Sequence, residues 1–406
     1  MRILQANKFF YRRGGAEVVF FDTINGLRKR GHEVIEFSMQ HSKNLPSEYG
    51  GYFAPEIPEL LGKQDLSSAL KTFRHLFVAP EIKKKLKALV LATDPQIAHL
   101  HNIYHHLSAT TFTTLHKLKI PTVLTVHDVF PMCPNHSMLY GQQLREDLFK
   151  KKMYNCVRYK CIDNRLLPSI AGTLEAYYYH LKGIWEHLDM FICPSQFMMD
   201  KMVEYGFPKK KMRVVLNPFE IRPEPMPLGN RVVYLGRMHY EKGIRLFLQA
   251  ASQLRDLPIT VAGSGPDDVW VDRYIAQSSL THVERLHWVE NAAWQKVMAS
   301  ARVIVVPSLF YENCSITILE ALSYGRIVVG VNRGGTPEMI IDGQTGFLAK
   351  PEDGDDLARV IRKAMVLSDS EAKAMVERGR KLIATNHAPD DYFKKLESVY
   401  AEVIKK

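Results

Sequence analysis

The stretch Pro307-Ser308-Leu309-Phe310-Tyr311-Glu312-Asn313-Cys314-Ser315-Ile316-Thr317-Ile318-Leu319-Glu320-Ala321-Leu322-Ser323-Tyr324-Gly325 decides how the rest of the chain is read. Just before it, Arg302-Val303-Ile304-Val305-Val306 is a β-branched run closed by a proline, the pattern of a strand buried within a sheet. Ser315 is a residue type that caps helices and Gly325 one that ends them, so a helix is predicted from Ile316 up to Gly325. The first-turn amides of that helix lack intrahelical acceptors and face the loop, where an anion is favoured. Glu312 lies in the loop before this seat, and Glu320 lies further along the helix. Two acids beside a phosphate seat are a poor stability device unless each accepts hydroxyl hydrogens, as from a sugar and a ribose. The plainer alternative is a solvated loop acid and an ordinary helix acid.

Working outward, Arg231-Val232-Val233-Tyr234-Leu235-Gly236-Arg237 is a strand that delivers Arg237 to its C-terminal end; Lys242-Gly243 and a helix over 244–254 follow. Arg237 and Lys242 then share one mouth with the helix after Cys314. This is a diphosphate site built without metal, in which the guanidinium forks the oxygens and the ammonium adds a point charge. Two unrelated surface cations are the alternative. Strands are also predicted at 259–262, 284–289 and 327–331, with turns at Gly263-Ser264-Gly265-Pro266 and Gly334-Gly335-Thr336-Pro337-Glu338. Helices are predicted at 293–300, 353–367, 370–384 and 390–405, the last with Tyr392, Phe393, Leu396, Val399, Tyr400 and Val403 on one face.

Glu312, seven intervening residues, Glu320-Ala321-Leu322, Gly325, Gly334-Gly335 and Glu338 together resemble the Glu-x7-Glu region of the family-four retaining glycosyltransferases, also called glycosyl transferases group 1. The resemblance covers nearly the whole chain and is strongest in the second half; Asn313-Cys314-Ser315 stands where Phe-Gly commonly follows the first acid. It implies an α/β fold of the GT-B type, two facing Rossmann-like domains with parallel sheets and an interdomain cleft. Residues 1–217 would then bind acceptor, 218–390 the nucleotide-sugar, and the helix 391–406 would cross back to the first domain. The resemblance also implies roles. Arg237 and Lys242 match the Gly-Arg…Lys-Gly motif that stabilises a departing nucleoside diphosphate. Gly263 matches the Gly-x-Gly-Pro loop of the donor site, and Val289 to Asn291 lie where a nucleobase meets backbone. Cys314, Ser315 and Ile316 carry the phosphate-facing amides, Glu312 grips sugar hydroxyls, and Glu320 holds the ribose.

The first half opens with a strand at 2–6, the loop Gly14-Gly15, a helix ending at Gly31 and a strand at 32–37: a βαβ unit with a glycine turn facing a helix N-terminus. The dinucleotide pattern G-x-G-x-x-G is absent. The Gly-Gly loop resembles the family's lid, where donor phosphate and acceptor meet, which places Gly15 on the donor and Gly14 on the acceptor; a tight turn alone is the alternative. Residues 40–95, with prolines 46, 55, 58 and 80 and Gly50-Gly51, read as irregular apart from a helix at 81–92. A strand at 97–101, a helix at 108–118 and a strand at 121–126 lead to His127-Asp128, a pair at the C-terminal end of a parallel strand, where ligands bind in open α/β sheets. A polar pair at a strand end is the plain alternative. By resemblance His127 lies near the transferred sugar, and Asp128 orients its ring or faces the acceptor. His99, His101, His105 and His106 read as structural or acceptor-facing. Cys133, Cys156, Cys161 and His136 are the one metal-like group, but no Cys-x2-Cys spacing supports zinc, so ordinary thiols of an inserted lobe are the default and no metal site is assigned. Strands at 190–195 and 212–216, with a helix between, close this half; Asn217-Pro218-Phe219 and prolines 223, 225 and 227 form a stiff linker.

The length of 406 residues suggests two domains with full cores, and 46% hydrophobic residues is an ordinary globular balance. No apolar run approaches a membrane span, and because Met1 enters a strand directly no signal peptide is expected. Five cysteines without a disulfide framework favour a reducing, cytoplasmic setting. The net charge of +11 is spread over short basic clusters with no nucleic-acid module beside them. Solvated helix faces explain it, or contact with an anionic membrane or a lipid diphosphate acceptor.

The expectation is a retaining glycosyltransferase without metal or other cofactor. Its donor is a nucleotide-sugar, UDP- before GDP-, and its acceptor a glycan or lipid-linked hydroxyl in polysaccharide biosynthesis. Catalysis would rest on His127, Glu312, Arg237 and Lys242. A nucleotide-sugar 2-epimerase shares the architecture, and a non-catalytic nucleotide-sugar-binding subunit is the other alternative.

Overall fold

The computed structural model describes residues 1–57, 73–148, 150, 152–287 and 291–405. Residues 58–72 of the predicted irregular segment and the nucleobase contact at Val289 lie outside them. The chain forms two compact units: Met1–His136, Glu146–Pro218 and Pro389–Lys406 make the first, Ser137–Arg145 and Phe219–Ala388 the second.

The first unit is built on six parallel strands, β1 (Arg2–Ala6), β2 (Glu33–Phe37), β3 (Ile97–Leu100), β4 (Thr122–Thr125), β7 (Met190–Cys193) and β8 (Met212–Val214), in the order β2-β1-β3-β4-β7-β8. The hairpin β5 (Leu139–Tyr140) and β6 (Gln143–Leu144) stands apart from both large sheets. The middle strands are buried at every position, as in a parallel sheet covered on both faces. The helix Gly15–Lys29 buries Val19, Phe20, Ile24 and Leu27. The final helix, Pro389–Ile404, buries all six of its predicted apolar positions in the same core, with Ile3, Phe20 and Ile24. Gly26 makes that packing close: a β-carbon there would fall 1.8 Å from the Phe393 ring.

The second unit repeats the plan with β9 (Arg231–Leu235), β10 (Ile259–Ala262), β11 (Val283–Leu286), β12 (Ala301–Val306), β13 (Ile327–Val331) and β14 (Phe347–Ala349), all parallel, in the order β11-β10-β9-β12-β13-β14. The order reverses between β9 and β12, so the loops after these two strands open side by side at the point where α/β sheets take ligands. In the first unit the reversal lies between β1 and β3. Two findings depart from the sequence reading. β14 is not among the predicted strands, being only three residues long. The segment 137–145, predicted within the first domain, is counted with the second unit: Leu139 lies in its core with Phe247 and Leu309, and the Leu144 N–H reaches Glu352 Oε1 at 3.3 Å.

Candidate active site

In the second unit, β9 hands the chain to Arg237, a 3-10 turn at Tyr240–Lys242, and Gly243, from which the helix Ile244–Ala251 starts. Gly243 has φ of 74°, and a β-carbon on it would meet the Pro307 carbonyl oxygen at 1.8 Å. Glycine is therefore what lets the Lys242 turn lie against the loop after β12. That loop runs to the helix Ile316–Ser323, and Gly325 at φ 74° follows its end, as the sequence predicts. Ser315 does hold the N-cap position, but its side chain takes no amide; its carbonyl instead accepts the N–H groups of Ile318 (3.1 Å) and Leu319 (3.2 Å). The expected side-chain cap is thus replaced by main chain. Among the described residues the amides of Ile316 and Thr317 meet no acceptor, which leaves an anion seat.

Glu312 is buried in the loop that leads to this helix. Its Oε1 accepts from Lys242 Nζ at 2.8 Å and from the Ser308 hydroxyl at 2.6 Å. Its carbonyl accepts the Gly335 N–H at 2.6 Å. Gly334, at φ 62°, would put a β-carbon 2.6 Å from that same carbonyl, so the Gly-Gly turn after β13 clasps the Glu312 main chain. Among the described residues Oε2 has no hydrogen-bond partner. Lys242 Nζ also lies 4.6 Å from the centre of the Phe310 ring. The two residues given separate tasks from sequence are therefore an ion pair here, and Ser308 and Phe310, which the sequence did not single out, complete it. Arg237 is exposed, and among the described residues its side chain has no partner. Glu320 lies along the helix, its carboxyl pushed up to about 7 by burial, with no side-chain hydrogen bond among the described residues. Gly263 follows β10 with its N–H donated to the Leu286 carbonyl (3.0 Å) and its carbonyl taken by Arg285 (2.7 Å), so it offers a ligand the absence of a side chain rather than a polar group.

In the first unit, Gly14 precedes and Gly15 begins the helix Gly15–Lys29, both exposed at the end of β1. β4 leads to His127 and Asp128, but Asp128 does not orient His127. Its Oδ2 pairs with His136 Nδ1 at 3.0 Å, and its Oδ1 accepts the Phe130 N–H at 2.9 Å. Burial alone would raise the Asp128 carboxyl; His136, the Phe130 amide and nearby Lys8 outweigh it and hold the group below its ordinary value. The loop from 127 to 136 bends back and supplies the nearer imidazole. His136 Nε2 meets His105 Nε2 at 2.8 Å, and His105 Nδ1 bonds buried Glu175. His127 Nε2 instead faces His101 Nδ1 at 3.0 Å, with the two rings stacked at 5.3 Å. Burial lowers His127 to about 4. Cys133 bonds Asn135 Oδ1 at 3.0 Å, and none of the five cysteines is in a disulfide. Among the described residues no group of three or more His, Cys, Asp or Glu is arranged for a metal.

The sequence matches glycosyltransferase family 4 over residues 13–222 and the glycosyl transferases group 1 description over 229–366. The chain belongs to glycosyltransferase family 4. Among its relatives in this family is a component of the phosphatidylinositol N-acetylglucosaminyltransferase of Arabidopsis thaliana, 23% identical across 100% of this chain and 83% of the relative. A lipopolysaccharide 1,2-N-acetylglucosaminetransferase of Salmonella typhimurium is 26% identical over 41% of this chain and 46% of its own. Family 4 proteins are transferases, and this chain is a glycosyltransferase. Its fold is similar to Anabaena HepE in complex with UDP and glucose (TM-score 0.68, 15% identity, 98% and 99% coverage). It is also similar to sucrose-phosphate synthase from Thermosynechococcus elongatus (TM-score 0.72, 17% identity, 100% and 99% coverage). Two Rossmann-like units of this kind are the GT-B fold.

Proposed function

We propose that this glycosyltransferase moves a sugar, with retention of anomeric configuration, from a nucleotide-sugar to a hydroxyl of a glycan or lipid-linked acceptor in polysaccharide assembly. UDP-sugars are the first choice of donor and GDP-sugars the second. The observation that carries the reading is the Lys242–Glu312–Ser308 cluster in the loops after β9 and β12, at the reversal of strand order, with the open amides of Ile316 and Thr317 on the helix that the second loop enters. The main barrier is leaving-group charge. Arg237, Lys242 and the amides after Cys314 meet the departing diphosphate, each preorganised donor contributing about 2–4 kcal/mol. Glu312 already holds Lys242 through Oε1 and turns Oε2 to sugar hydroxyls. Glu320 takes the ribose, His127 the transferred sugar, and Gly14 and Asp128 the acceptor side. In front-face transfer the acceptor oxygen bonds the anomeric carbon as the bond to phosphate breaks, and the hydroxyl proton passes to the leaving oxygen.

The charge scheme needs no metal, so turnover is expected to survive EDTA; a strict requirement for Mg²⁺ would argue against it. Among the described residues no helix is long and apolar enough to cross a membrane. With a net charge of +11, the protein is assigned to the cytoplasmic face of an anionic membrane, held peripherally. Sedimentation with phosphatidylglycerol vesicles but not phosphatidylcholine vesicles is expected. The direct test is a thermal-shift screen of UDP-, GDP- and ADP-sugars, followed by a crystal structure with the best of them. The nucleotide is expected along β9 and β12 of the second unit; finding it bound elsewhere would overturn the reading.

A further inference from the structure

A chain of buried polar side chains runs from the final helix to His127. Gln5, His99, His101 and Tyr400 are fully buried. The Tyr400 hydroxyl lies 2.7 Å from His99 Nδ1 and 3.2 Å from Gln5 Nε2. His99 Nε2 meets Thr125 Oγ1 at 2.7 Å. Gln5 Oε1 faces His101 Nε2 at 3.0 Å, and His101 Nδ1 faces His127 Nε2 at 3.0 Å. Among the described residues His127 Nδ1 meets no partner.

A neutral imidazole carries one N–H, so each bond in such a chain fixes the next. The Gln5 amide NH2 donates to the Tyr400 hydroxyl at 3.2 Å, which leaves that hydroxyl's own hydrogen for His99 Nδ1, 2.7 Å away. The Gln5 carbonyl is left for His101, whose one N–H must sit on Nε2. His101 Nδ1 is therefore bare, and the proton between the two rings belongs to His127 Nε2. A neutral His127 then has its lone pair on Nδ1. Burial favours neutral rings throughout, lowering His101 well below the ordinary histidine value and His99 to about 3. Turning the Gln5 amide over would reverse every proton in the series.

We infer that Gln5 and His101 are positioning residues that hold His127 as its Nε2–H tautomer, so that Nδ1 accepts a hydrogen bond from a hydroxyl of the sugar being transferred. This rests on the assignment of His127 to the transferred sugar, and it adds what sets that histidine's polarity: an acceptor there selects a sugar hydroxyl and disfavours a deoxy or O-methyl analogue at the same carbon.

The test is ¹⁵N NMR of histidine-labelled protein, with His127 identified by its loss in His127→Asn. Wild type is expected to show a protonated Nε2 and a bare Nδ1 on His127 at pH 7; a protonated Nδ1 overturns the inference. Gln5→Met removes the directing carbonyl. It is expected to give mixed His127 tautomers and about a tenfold fall in kcat with KM within twofold, at an unfolding temperature that shows the protein folded. An unchanged His127 spectrum in folded Gln5→Met overturns the positioning role. His127→Asn, whose amide oxygen can stand at the place of Nδ1, should keep more turnover than His127→Gln; the reverse order overturns the acceptor role. If the tautomer is as inferred while His127→Ala turns over normally, what fails is the placing of His127 on the sugar, not the proton chain.

Discussion

At the scale of single residues, the candidate donor site divides into groups already paired and groups left open. Lys242 and Glu312 hold each other at 2.8 Å, whereas Arg237 is exposed without a side-chain partner among the described residues. Arg237 is therefore the group whose charge only a ligand would use. Arg237→Ala is expected to lower kcat by roughly 10²–10³ with little change in unfolding temperature; near-normal turnover would remove it from the diphosphate site. Glu320 supplies a pH dependence with a definite sign. Burial lifts its carboxyl from an ordinary 4.5 to about 7, so the fold prefers the neutral acid. Its contribution to stability is complete below the unfolded value and is lost as pH rises from about 4.5 through 7. If Glu320 holds the ribose as proposed, donor binding runs the other way, because the ionised carboxylate accepts from both ribose hydroxyls. Donor affinity should rise roughly tenfold between pH 6 and 8 in calorimetric titration and flatten in Glu320→Gln; the same slope in both proteins would refute the ribose role. The places of Arg237 after a strand, Lys242 in the turn that follows, Glu312 in a loop and Glu320 on a helix were legible in the sequence, because local pattern marks those elements. Ser308 and the His136 partner of Asp128 were not, because loops bring them in at distances that no periodicity encodes.

At the scale of elements, glycines decide how closely the site's pieces approach. The Gly334 turn lies against the Glu312 main chain, and any side chain there would both strain a left-handed backbone and strike the Glu312 carbonyl. Gly334→Ala is expected to cost about 1–3 kcal/mol, a fall in Tm of roughly 2–10 °C. It should also weaken donor binding, since the Glu312 loop must shift. A variant with unchanged Tm and unchanged donor affinity would show that the clasp is idle. The helices and strands themselves were readable from hydrophobic period, most clearly the final helix, whose six predicted apolar positions are all buried. Its polar edge was not readable. Tyr400 looked like one more core aromatic, and only the folded unit shows its hydroxyl aligned with His99 and Gln5.

At the scale of the whole molecule, two six-stranded parallel sheets recur with different strand orders. The sequence foretells the alternation of strand and helix but not which strand lies beside which, because pairing is long-range and leaves no local mark. The same blindness covered the hairpin at 137–145. Its sequence position lies inside the first unit, yet Leu139 belongs to the core of the second. The backbone therefore changes unit at four places rather than at the two that the linker and the returning final helix predict. A genetic cut at the Pro-rich joint near 218 cannot liberate an intact C-terminal half. The excised piece 219–388 should melt at a lower temperature than the corresponding unit of the full chain, and a peptide spanning 137–145, supplied in trans, should restore part of the loss. Anyone trimming this protein for crystals or for grafting its second unit onto another scaffold must carry that distant ribbon along.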